Sequence, residues 1–317
     1  MGRLPPADKL PLAVRKNVRD EWENNKADLE RQLSEVLGTP WTIDINPNSI
    51  WPYHGDGYAK DSLGSCIKSY IEGAIFQLKY VGGKLSLADF NNELNAICHA
   101  HVLTLDLEDS DPPRFSYGGC DVTDDGKLRI LFVEGYLGTN MDYCLQDSVL
   151  IPALNAAPPG PTADKSNPLS FLARINIRLE YDAKIDDVRR TIATLLGKPE
   201  EQVTLNPNFA DTFAKLRAAG SNAPSDWEKN FGESMYRYFD ALAFQMKYIK
   251  VGEDDMVREG LLEAVSTNEY AFRIVDKLRY ESYCEVVVED GVLYLQSTAS
   301  TWGINTDYVA SKLMDQL

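Results

Sequence analysis

Phe76-Gln77-Leu78-Lys79-Tyr80 recurs as Phe244-Gln245-Met246-Lys247-Tyr248, 168 positions further along the chain. Each copy ends a stretch whose apolar residues fall at helical spacing. Leu63, Ile67, Tyr70, Ile71, Ala74 and Leu78 form one stripe, and Phe231, Met235, Tyr238, Phe239, Leu242 and Met246 the other. The echo extends outward from there. Val18, Trp22, Leu29, Leu33 and Val36 mark a first helix, which Gly38 and Pro40 stop. Ile177, Tyr181, Val188, Ile192 and Leu195 repeat that stripe, with Gly197 and Pro199 behind it. Residues 1–12, rich in proline, are expected to be loose.

A short strand follows the first helix in each half and runs into Asn-Pro-Asn (Asn46-Pro47-Asn48 and Asn206-Pro207-Asn208), which reads as turn chemistry. Ser225 and Glu228 form a capping-box pattern before the second central helix. After a third helix come three β segments per half. His101–Leu107, Arg114–Val122 and Lys127–Val133 are the first set, and Ala271–Leu278, Tyr280–Val288 and Val292–Ser297 the second. Asp125-Gly126 and Asp290-Gly291 are the hairpin turns. Each half closes on Gly-x-Asn-x-Asp-Tyr (Gly138 to Tyr143, Gly303 to Tyr308), where Asn is expected to cap a final helix. The fold expected is α+β: a tandem duplication of one α-β-α-α-β-β-β-α domain, its late strands antiparallel, forming an intramolecular pseudo-dimer whose repeats pack on each other. The first repeat spans 13–150, a Pro-rich linker 151–168, and the second repeat 169–317.

The formal charge is -16, and both halves share it. Without clustered Lys and Arg, nucleic acid and anionic membrane surfaces are excluded as partners. No apolar run is long enough to span a bilayer, and five irregularly spaced cysteines do not make a disulfide framework. These features point to the cytoplasm.

Features shared by the halves are explained first by a shared fold, so features of one half are the better site candidates. His54, His99 and His101 all lie in the first half. Cys98-His99-Ala100-His101 puts two histidines on one strand face beside a thiol, yet no second Cys/His pair has zinc spacing, so no metal site is assigned. No phosphate loop, dinucleotide fingerprint or serine elbow occurs, so no cofactor is assigned. The densest one-sided feature is Trp51-Pro52-Tyr53-His54-Gly55-Asp56-Gly57-Tyr58.

The expected function is a binding or interaction protein. An aromatic-lined site in the first repeat or at the inter-repeat interface would take a small apolar or aromatic ligand or a partner protein. Its residues would be Trp51, Tyr53, His54 and Tyr58, with the helical amides Gln77 and Gln245. The alternative is an enzyme of no familiar motif class, with His54, Asp56 and Tyr58 or Tyr53 as acid–base groups.

Overall fold

The computed structural model describes residues 3–158 and 168–317. The chain divides into two compact units, Met1–Lys165 and Ser166–Leu317. Each is a mixed α+β unit holding one four-stranded mixed sheet.

In the first unit, α1 (Leu12–Asn17), a π-helical stretch (Val18–Glu23) and α2 (Asn24–Leu37) run on as one rod, which Gly38 ends in a left-handed conformation. β1 (Thr42–Asp44) leads into α3 (Pro47–Ile50), whose N-cap is the Asn46 side chain. The long α4 (Leu63–Leu85) and α5 (Leu87–Ile97) follow. Then come β2 (Val102–Glu108), β3 (Gly118–Val122), β4 (Leu128–Val133), a 3₁₀ turn (Met141–Tyr143) and α6 (Asp147–Ala156).

The sheet order is β1-β2-β4-β3. β1 and β4 both pair with β2 in parallel, and only β3 and β4 are antiparallel. This corrects the expected antiparallel grouping. β4 buries five of its six residues, a near-continuous apolar run suited to a strand covered on both faces. β2 reaches it because residues 109–117 carry the chain past the edge before β3 turns back as a hairpin.

The second unit has α7 (Phe171–Asn176), a π-helical stretch (Ile177–Asp182), α8 (Ile185–Leu196) and β5 (Thr204–Asn206). After these come α9 (Phe209–Ala219), α10 (Phe231–Tyr248), α11 (Asp255–Ala264), β6 (Glu269–Ile274), β7 (Cys284–Glu289) and β8 (Val292–Ser297). Its order, β5-β6-β8-β7, has the same pattern of directions. No closing α-helix follows; short 3₁₀ turns (Thr306–Tyr308, Leu313–Gln316) bury Val309, Ala310 and Leu313 instead.

Three further expectations are revised. Residues near the N-terminus are held rather than loose: Ala7 and Asn48 exchange hydrogen bonds, Leu10 is buried, and Arg3 pairs with Asp106 and Asp109. The linker expected over 151–168 begins inside α6, which carries Pro152 in its interior; 159–167 lie outside the described residues. Ser225 and Glu228 lie in turns ahead of α10 and make no capping box.

Candidate functional site

α4 and α10 carry the candidate surface, and each is fastened by two contacts. Neither helix caps itself with a side chain. Asn17, where the first rod becomes π-helical, does it for α4: its Oδ1 accepts from the Gly64 and Ser65 amides at 2.7 and 3.2 Å. Gly64 is required there, because a Cβ would land on the Asn17 carbonyl with the Val18 Cα 2.7 Å away. Asn176 caps α10 in the same way, accepting from the Glu233 amide at 2.9 Å beside Gly232. Further along, the buried Tyr70 hydroxyl accepts from the Gly138 amide and the buried Tyr238 hydroxyl from Gly303, both at 3.0 Å. These bonds tie the closing turn to the helix. Asn140 and Asn305 begin that turn with left-handed backbone and no side-chain cap, so Asn serves conformation there rather than capping.

With these faces buried, the opposite faces of α4 and α10 are left to solvent. Leu78 and Met246 are fully buried, whereas Phe76 is 62% and Tyr80 51% exposed, and Phe244 is 66% and Tyr248 73% exposed. The Phe76 and Tyr80 rings stack at 6.2 Å with 6° between planes. Each pair lies in a stripe of the same order. Glu72, Phe76, Lys79 and Tyr80 follow one another up α4, and Asp240, Phe244, Lys247 and Tyr248 up α10; all eight are exposed. Phe76 stands two positions from both Ala74 and Leu78, so a helical wheel already turns it away from the buried stripe.

Gln77 lies beside this stripe. Its amide donates to the Asp142 carbonyl at 2.9 Å, which fastens the turn to α4 where Gly73 lets the backbones meet. Gln245 is half-buried at the corresponding place. Tyr143 and Tyr308, at the ends of the closing turns, are also exposed.

The Trp51–Tyr58 residues lie elsewhere. Tyr53 is buried against Phe132 with rings 5.8 Å apart, and its hydroxyl accepts from the Leu4 amide at 2.7 Å. Trp51 packs on His54 at 4.6 Å, and the His54 Nδ1 meets the Gly55 carbonyl. The Asp56 side chain is 96% exposed and pairs with Lys60 at 3.0 Å, a hydrogen bond that holds its carboxyl below the ordinary value. Tyr58 is half exposed. The loop therefore brings His54 to Trp51 and Asp56 to Lys60. In the second unit α9 stands in its place, feeding Phe213 into an aromatic core with Trp227 and Phe231.

Among the described residues, no group of three His, Cys, Asp or Glu side chains could hold a metal ion. His101 is not on a strand face but in a left-handed turn before β2, against Trp41. All five cysteines are free and buried; burial pushes the Cys66, Cys144 and Cys284 thiols up to about 12 and Cys98 and Cys120 higher still. A shallow groove of about 330 Å³ runs between β3 and α6, lined by Phe115, Val149, Pro152 and Ala153 under Arg114. That guanidinium is occupied: it binds the buried Glu108 at 2.6 and 3.0 Å and Asp121 at 2.9 Å. No protein-family model, curated protein or solved structure matches the chain.

Proposed function

We propose that the chain is a tandem duplication of one α+β domain, and that it acts as an interaction protein meeting a protein partner through the stripes of α4 and α10. One observation carries this reading: each unit leaves a Phe exposed on its longest helix between an acid and a lysine, with an exposed Tyr next to the lysine. Exposed large aromatics in a cluster mark recognition surfaces more often than chance exposure does, and aromatic side chains supply much of the energy of protein interfaces. The stripe is the convex surface of a helix, which suits a protein face better than a small ligand, for which concavity is needed.

The duplication is supported by the equal strand order of the two sheets and by the paired contacts of Asn17 with Gly64 and Asn176 with Gly232. Two recognition helices in one chain would let weak contacts reinforce each other. Five free thiols fit a reducing compartment, and in this reading the protein works in the cytoplasm.

The test places a photo-crosslinking phenylalanine analogue at Tyr80, at Tyr248 or at the exposed control position Met256 in the full chain. Covalent protein adducts are expected from Tyr80 and Tyr248 and not from Met256. Equal yields from all three, or none from the stripes, would refute the reading.

A further inference from the structure

The charges of the stripe restrict what can cover it. In α4 the acid, Phe, Lys and Tyr stand at i, i+4, i+7 and i+8, and α10 repeats that spacing. The acid and the lysine are then about 10 Å apart along the helix, with Phe close to midway between them. Turning such a stripe end over end about its Phe puts acid where lysine was. Two stripes laid antiparallel therefore face Phe with Phe and each carboxylate with an ammonium. Parallel stripes would set acid against acid and lysine against lysine.

These charges have few partners, all close by on their own helices: Asp240 bonds the Tyr236 side chain one turn earlier in α10. Glu72 makes one loose contact within its own helix, to Lys68 at 3.9 Å. Neither Lys79 nor Lys247 forms an ion pair among the described residues. The Phe76 and Tyr80 rings are held parallel, with the Lys84 ammonium 4.1 Å from the Tyr80 ring centre, so little conformational freedom is lost when the exposed Phe76 is covered.

We propose that the partner of the stripe is a second copy of this chain, docked helix against helix in antiparallel register. This rests on the interaction reading above and deepens it. A surface complementary to itself under a half-turn is what an isologous two-fold interface requires. The formal charge of -16 opposes approach at long range, but screening at physiological salt confines that repulsion to about 8 Å. Contact charges of both signs then set the register, and the aromatic rings supply the attraction.

The experiment is sedimentation equilibrium of the full chain at physiological salt, from about 1 μM to about 100 μM, a range that captures weak to moderate dimers. The wild-type chain is expected to associate as concentration rises. Phe76→Ser with Phe244→Ser should weaken association at least about tenfold and leave the circular dichroism spectrum unchanged, since both rings are exposed.

Charge exchange tests the register. Glu72→Lys with Asp240→Lys should weaken association about fivefold by facing like charges. Adding Lys79→Glu and Lys247→Glu should restore it. A wild-type chain monomeric throughout, association indifferent to the serine variant, or a fourfold variant no better than the lysine pair would each overturn the proposal. The crosslinks at Tyr80 and Tyr248 separate the two readings. Adducts of twice the chain mass support this inference. Adducts with another polypeptide, or within one chain, refute it while leaving an interaction role in place.

Discussion

Asn17→Ala probes the contact that fixes α4. The Asn17 Oδ1 is the acceptor for two amides at the start of that helix, Gly64 and Ser65, and its Nδ2 donates to the Ser65 hydroxyl at 3.1 Å. Alanine removes all three bonds. Gly64 is buried against the Asn17 backbone, so water has no room to replace the lost acceptor there. Loss of a cap costs about 1 kcal/mol, and leaving a buried donor unpaired costs about as much again. The expected destabilisation is about 2 kcal/mol, or roughly a thirtyfold rise in the opening equilibrium. Hydrogen exchange followed by mass spectrometry reads this helix by helix in the full chain. Peptides from Leu63–Leu85 should exchange faster, while peptides from Phe231–Tyr248, capped by Asn176, serve as the internal control. Asn17→Asp keeps the acceptors and adds a charge favoured at a helix N-terminus, so it should leave α4 protected. Protection unchanged in Asn17→Ala, or lost equally in Asn17→Asp, would show that the side-chain cap is not what holds the helix.

The other expectations concern buried polar groups. Tyr238→Phe leaves the Gly303 amide without its acceptor and should cost about 1–2 kcal/mol, read as faster exchange through the 3₁₀ turn Thr306–Tyr308. Glu285 is buried and accepts from the Arg279, Tyr280 and Glu281 amides and from Gln296. In Glu285→Gln an amide nitrogen must face amide donors, so the β6–β7 connection should exchange faster, with a loss of about 1–3 kcal/mol. Acid should weaken the first unit through Glu108 and Asp121. Burial pushes both carboxyls up, but bonds from Arg114 to both and from Arg129 to Asp121 outweigh it, leaving both below their ordinary values. A carboxyl lowered in the folded state stabilises fully above its unfolded value, so that contribution is complete above about pH 5 and lost as pH falls further. Exchange rates against pH should show this fall in β3, and Asp121→Asn should flatten it.

The helices were legible because their buried residues recur at the helical period, as Ile67, Tyr70, Ile71, Ala74 and Leu78 do in α4. The β3–β4 and β7–β8 hairpins were legible because Gly126 and Gly291 take the positive φ that a tight turn needs. The direction of β2 was not legible. Side chains alternate alike in parallel and antiparallel strands, so nothing local to Val102–Glu108 tells which neighbours it will have. The caps were hidden for a related reason: Ser225 and Glu228 have the right local spacing, but Asn176 reaches α10 from far away in sequence. For the candidate surface, density of aromatic residues drew attention to Trp51–Tyr58. There Tyr53 turns inward to hold Leu4, while the more regular Phe and Tyr of α4 turn outward. Composition carries no direction, whereas position on a helix does.

The order of strands also governs when each unit can be completed during synthesis. β1 meets β2 through Thr42 and Val102, so the first strand waits about sixty residues for a neighbour. β2 in turn lacks its second neighbour until Leu128–Val133 has emerged, because β3 is made first and lies beyond it. Pairings this distant are slow to form, since a long loop must close before any contact rewards it. Until then the helices Leu63–Leu85 and Leu87–Ile97 must survive on local interactions and on packing against the first rod, with a greasy face still uncovered. The Asn17 cap joins two segments that are both available before any of the late strands, which makes it a natural early fastening in the growing chain.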